Sequence, residues 1–162
     1  MKNLPFFFIF FISFIGFSQN ENQPNFWDNV QFGGGLGISF GSNQTTIAIA
    51  PSTIYNFNKY FSAGLGASYL YAKNHDVKSN VFGASVITLF NPLEQFQLSA
   101  EFEQLFVNQK SNIYTSSFDY PALYIGAAYR IGSFSAGLQY DILYNDKSIF
   151  ASAISPIFRF YF

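Results

Sequence analysis

Five charged side chains in the second half of the sequence have the types and spacing for a buried ion-pair network: Glu101, Glu103, Arg130, Asp141 and Arg159. Each sits among residues that alternate, one mainly apolar and one mainly polar or small, and each falls on the second beat. Glu101 and Glu103 follow Gln97 and Ser99, Arg130 follows Tyr124, Gly126 and Ala128, and Asp141 follows Ser135, Gly137 and Gln139. Arg159 stands between Phe158 and Phe160. A period of two means that neighbouring side chains point to opposite faces of a strand, so all five charges share the face opposite the aromatics. A charge held away from water is costly unless paired, so this spacing predicts mutual satisfaction. Glu101, Asp141 and Arg159 fall nearer mid-strand than Arg130, and the expected centre is Arg159 with Glu101 or Asp141.

Other chemistry is thinly represented. The single histidine, His75, lies beside Asp76 in the polar stretch NHDVKS. A histidine and a carboxylate are two parts of a hydrolytic triad, but the third part and the geometry do not follow from spacing. A solvated loop is the plainer reading of His75, and no catalytic residue is assigned. No cysteine is present, which removes disulfides, thiolate metal sites and a cysteine nucleophile. No glycine-rich phosphate loop stands between a strand and a helix. No cofactor, metal site or nucleic-acid partner is expected, the last because the net charge is only −1.

Eight alternating runs position these residues, at 30–41, 45–56, 61–73, 80–90, 96–107, 120–131, 133–144 and 149–162. Leu36, Ile49, Leu65, Val86, Phe102, Ile125, Leu138 and Phe158 stand on the apolar beat of the eight runs in order. Their other faces carry mainly Gly, Ser and Ala. Tight turns are expected at 56–60, 91–95 and 132–133, from their Asn, Pro and Gly content. Asn108 to Asp119 reads as the longest loop. Two prolines fall inside runs, Pro51 and Pro156. Neither can donate to a ladder, so a locally unpaired position or bulge is expected at Pro51, and Pro156 interrupts a strand that should pair on both sides.

Composition decides which face meets which solvent. Aromatics are 22% of the 162 residues and charged residues only 10%, against about 25% charged in soluble domains. Beyond the first twenty residues no apolar run approaches the ~20 residues of a membrane-spanning helix. In a soluble barrel such as a lipocalin the apolar face turns inward and the outer face carries charge. Here the small-residue face suits the tight interior of eight strands, which leaves the aromatic face for lipid. Tyr55, Tyr60, Phe61, Phe90 and Phe96 at the turn ends, with Tyr69, Tyr71, Phe106 and Tyr144 at the loop ends, read as two interfacial girdles.

Met1 to Ser18 reads as a secretory signal peptide: Lys2, then an apolar core of Phe and Ile from Leu4 to Phe17, then small residues. Cleavage is expected after Ser18, with the bond after Gln19 as the rival. Residues 19–29 form a polar periplasmic lead, and 30–162 the barrel domain. The fold class expected is therefore all-β, an eight-stranded antiparallel up-and-down transmembrane barrel.

The alternating pattern over nearly all of 30–162 and the terminal IFRFYF resemble the small eight-stranded outer-membrane barrels of the OmpA/OmpX type. The resemblance implies a Gram-negative outer membrane, porin-like architecture, interior salt bridges, and a terminal signal in which Phe158, Phe160 and Phe162 engage the barrel-assembly machinery during insertion. The partners expected are outer-membrane lipid and that machinery, with a monomeric barrel and an unidentified partner for the outer loops. The expected function is a structural, adhesion or envelope-integrity role with a largely plugged lumen. The alternatives are a narrow pore for small solutes and a membrane-embedded lipid hydrolase or acyltransferase.

Overall fold

The structure, a computed structural model, describes residues 25–41, 44–74, 77–111, 115–150 and 152–162. The leader expected at 1–18, its cleavage site beside Ser18 and Gln19, and His75 with Asp76 lie outside the described residues.

After one turn of 3-10 helix at Phe26–Asn29 come eight strands: β1 Val30–Gly41, β2 Gln44–Asn56, β3 Phe61–Asn74, β4 Val77–Leu93, β5 Phe96–Lys110, β6 Thr115–Ile131, β7 Phe134–Asp141 and β8 Ile154–Tyr161. Each pairs antiparallel with the next, and β8 returns to β1 to make a closed eight-stranded barrel. Closure is what makes the last strand stable, because an exposed apolar edge is a template for aggregation. Within the strands the described side chains keep the phase their alternation predicts, but 142–144 and 149–150, expected as strand, lie in the connection between β7 and β8. In β8, Ile157, Arg159 and Tyr161 are buried while Phe158, Phe160 and Phe162 are exposed.

The connections at one end are tight. Asn58 Oδ1 accepts from the Tyr60 and Phe61 amides at 2.8 and 2.9 Å, an Asn side chain standing in for a backbone turn. Gly132 adopts φ +58°, a left-handed turn conformation suited to glycine. The other end departs from expectation in two places. The stretch 108–119 is not the longest loop: β5 and β6 run on as a tall hairpin to the rung Lys110↔Thr115, stitched on its outer face by Gln104–Asp119 and Ser117–Asn108 hydrogen bonds of 3.0 and 2.8 Å. The longest connection lies instead between β7 and β8, because β7 ends at Asp141 and β8 begins only at Ile154. Ile149 and Phe150 are neighbours in sequence, so both cannot occupy the same face of a strand. They turn inward as a loop and pack on the barrel interior.

The interior is layered. Near the turns, Ile54, Ile87, Leu89 and Tyr161 form one apolar cluster. Near the loops, Leu70, Val81, Leu105, Val107, Tyr120, Ala122 and Tyr124 form another, capped by Ile149 and Phe150. The interior is thus not mainly Gly, Ser and Ala. Small residues dominate on β1 to β3, and large side chains from β3 to β6 fill the space they leave.

Three ladders are irregular among the described residues. The β4–β5 ladder shifts register between Phe90 and Leu93 beside its turn. The β2–β3 register stops at Ile49↔Tyr69 and resumes at Ser52↔Gly66, leaving Ala50 and Pro51 unpaired on that side. On its other side Pro51 lies opposite Gly34, whose φ of +143° is a conformation L side chains rarely adopt. The β1–β8 ladder has only three rungs, Gly33↔Tyr161, Gly34↔Phe160 and Gly35↔Arg159, below which Phe32 and Phe162 exchange amide bonds of 3.1 and 3.0 Å. Beyond Gly35, β1 pairs with β2 alone as far as Gly41.

Candidate functional site

Between the two apolar clusters lies a polar layer, and Arg159 is its centre. Its Nη2 lies 3.0 Å from Glu101 Oε2, linking β8 to β5 across the barrel. A guanidinium is the side chain best suited to such a site, because its planar fork pairs with carboxylates at low ordering cost. Arg159 is only 6% exposed, and its Nη1 has no hydrogen-bond partner among the described residues. Glu103, one inward position above Glu101, accepts instead from the Ser68 hydroxyl on β3. Below the pair, Ser52 and the Tyr161 hydroxyl lie 3.0 Å apart. A further chain runs towards the turns, from Ser135 Oγ to Gln97 Oε1 at 3.2 Å and from Gln97 Nε2 to Asn91 Oδ1 at 3.1 Å.

The five charges considered from sequence all stand on inward positions, but they do not gather in one cluster. Glu101 meets Arg159. Asp141 does not: its Oδ1 accepts from the amides of Leu123 and Leu143 at 3.1 and 3.0 Å, so it caps the end of β7 and ties the long loop to β6. Arg130 is also apart, its Nε donating to Gly132 O at 2.9 Å beside the turn. Arg130 and Arg159 flank the same residue, Ser135, but Arg130 bonds back to its own turn while Arg159 reaches across the lumen to Glu101. Sequence reading did not single out Ser68, Ser52 or the Tyr161 hydroxyl. Alternation puts all three inward, but only the fold shows that Ser68 and Glu103 meet.

Beside the ion pair is a cavity of about 230 Å³. Its polar wall includes Ser52, Ser68, Glu101, Glu103, Gln139 and Arg159, and its apolar wall includes Ala48, Ala50, Leu70, Val81, Leu105 and Ile157. Outward-facing residues also border it: Leu36, Ile49, Pro156 and Phe158. These belong to β1, β2 and β8, so the cavity lies against the side of the barrel where the β1–β8 ladder is short.

Chemically the layer is an ion pair with a separate hydroxyl–carboxylate contact. Ser68 is held by a carboxylate with no imidazole between them, and the chain's one histidine lies outside the described residues. No group of three or more metal-ligating side chains gathers among the described residues. No family model and no curated protein matches this sequence.

Proposed function

We propose that this protein is an integral outer-membrane barrel of the OmpA/OmpX kind, made with a cleaved signal peptide, whose closed body serves a structural, adhesion or envelope-integrity role. One observation carries the reading: the outer wall is apolar all the way round. Leu65, Val86, Phe102 and Leu123 lie opposite one another across β3 to β6, and Leu36, Ile49, Leu138 and Phe158 are exposed on the remaining strands. An apolar patch of a few hundred Å² suits a protein partner, but a belt around the whole barrel suits lipid. Exposed charges stand at its two margins, Lys59 and Glu94 by the turns, and Lys73, Lys78, Lys110 and Asp119 by the loops. From Pro121 to Ile131 the apolar beat spans roughly 34 Å of strand. At the usual tilt of outer-membrane strands that is about 25 Å of height, the thickness of their lipid-facing band.

The layered filling favours a plugged lumen over the narrow pore. The Ile54 cluster blocks one end and the Tyr120 cluster with Phe150 the other, with the Arg159–Glu101 pair between. Phe158, Phe160 and Phe162 remain outward and available to the assembly machinery. The reading is tested on the membrane fraction by gel migration with and without heating, joined to planar-bilayer recordings. A folded form that migrates faster before heating, and a silent trace for both the native protein and Arg159→Ala, are expected. A soluble, heat-insensitive protein overturns the membrane placement. Steady conductance of the native protein overturns the plugged lumen, and conductance gained on Arg159→Ala would make the ion pair a gate.

A further inference from the structure

The short β1–β8 ladder and Pro156 have a joint meaning. Along an antiparallel strand a residue sends its N–H and C=O to the same neighbour, and successive residues alternate between neighbours. Phe162 sends both groups to β1, and the Tyr161 amide bonds to Ser133 O on the β7 side. Phe160, Phe158, Pro156 and Ile154 therefore face β1. The missing donor of Pro156 points at the flank where β1 and β8 have already parted, so the proline costs no ladder bond. Ile154, next in the same phase, has its amide taken by Ser152 Oγ at 3.1 Å. On the facing strand, a Cβ at Gly35 would lie 3.0 Å from Phe158 O, whereas at Gly37 nothing of β8 lies within 4 Å among the described residues. Past Gly35 the two strands share no rung, and this unpaired stretch, the slot, is flanked on the outer face by Leu36, Pro156 and Phe158.

Behind the slot is the polar layer. Arg159 belongs to the last rung and lines the cavity, with Nη1 unpartnered among the described residues. A buried donor without an acceptor is costly, and a ligand oxygen entering the cavity would relieve it once the guanidinium pivots on its bond to Glu101. The charge balance selects the ligand. Glu101 already neutralises Arg159 and Glu103 adds a further carboxylate, so another anion is disfavoured. A neutral head with a carbonyl to accept from Arg159 and hydroxyls to donate to the carboxylates is complementary. The slot's apolar frame suits a hydrocarbon chain.

We propose that the β1–β8 slot admits a neutral single-chain amphiphile from the bilayer, its ester and hydroxyl head in the cavity against Arg159 and its tail in lipid between Leu36 and Phe158. This rests on the membrane placement above. The test is native mass spectrometry of the folded, full-length barrel in detergent, titrated with 1-monooleoylglycerol. One bound molecule per barrel is expected, with oleate retained about tenfold less well. A Leu36→Cys/Phe158→Cys variant bridged by a short bis-methanethiosulfonate closes the slot in a chain otherwise free of cysteine. Bridging should lower retention about tenfold and reduction restore it. Arg159→Lys keeps the charge opposite Glu101 but loses the fork, and should also weaken retention. Retention indifferent to bridging overturns the slot, and preference for oleate overturns the head chemistry. A barrel that inserts into vesicles yet binds no monooleoylglycerol overturns this proposal alone. One that never inserts overturns the membrane placement first.

Discussion

Arg159 on β8 and Glu101 on β5 are 58 residues apart in sequence and meet at 3.0 Å inside the barrel. They are joined through the lumen and not through the wall, so the pair braces strands that share no ladder. Removing one partner leaves the other charge buried and unanswered, which costs far more than the pair contributes.

Arg159→Met is accordingly expected to destabilise the barrel by about 3–5 kcal/mol. Arg159→Met with Glu101→Leu should recover most of that loss, because matched apolar side chains replace a buried pair at little net cost. Urea unfolding of the barrel in vesicles, run as a double-mutant cycle, measures both. A double variant whose loss equals the sum of the two single losses would show that the pair is not coupled.

Two glycines in one short motif should answer oppositely to the same change. A Cβ at Gly33 would run into the backbone of Phe160 across the closed part of the seam, whereas at Gly37 its nearest neighbour would be Ala48 Cβ at 3.5 Å. Gly33→Ala should cost about 1–3 kcal/mol through overpacking. Gly37→Ala should be neutral or stabilise by up to about 1 kcal/mol through the unfolded chain. The temperature at which the folded gel band disappears ranks the two variants, and equal values would mean that the seam does not narrow at Gly33.

Trp27 is the only tryptophan. It is 63% exposed, packs edge-on against Phe26, and Phe26 stacks on Tyr55 at 4.9 Å. If the turn end lies at a membrane interface, Trp27 emission should shift to the blue on insertion into vesicles. Lipids brominated near the headgroup should then quench it more strongly than lipids brominated near the bilayer centre. Emission unchanged by vesicles would remove this end from the interface.

Asp141 holds the start of the long loop by its bonds to the Leu123 and Leu143 amides. Asp141→Ala should leave the barrel folded and loosen the loop, raising the rate of proteolytic nicking within 142–150 about tenfold, the equivalent of roughly 1.4 kcal/mol of local opening. Mass spectrometry of the fragments locates the cut. An unchanged rate would show that Ile149 and Phe150 hold the loop without it.

Much of this was legible because alternation is a local property. The facing of Phe158, Arg159 and Phe160 follows from three consecutive side chains. Hairpin ends were not legible, since Asn108 and Ser117 look like loop residues until they pair across an extended ladder. The cap formed by Ile149 and Phe150 was equally hidden, because which surface an apolar pair covers depends on how far β7 and β8 fall short of their neighbours. Arg159 and Glu101 could be placed on inward faces from sequence, but their meeting depends on barrel shear, to which no single strand testifies. Pro156 became intelligible only when the side its nitrogen faces was known.

The β1–β8 seam also sets a clock. Every other ladder joins strands adjacent in sequence, whereas Phe32 must find Phe162 across almost the whole chain. Loop-closure entropy grows as the logarithm of length, so this junction costs about 2 kcal/mol more to close than a hairpin tenfold shorter. It repays that with only three rungs and one reciprocal pair of amide bonds. The seam is therefore expected to form last in folding and to part first under load, and until it forms the nascent sheet carries two open edges able to join those of a second copy.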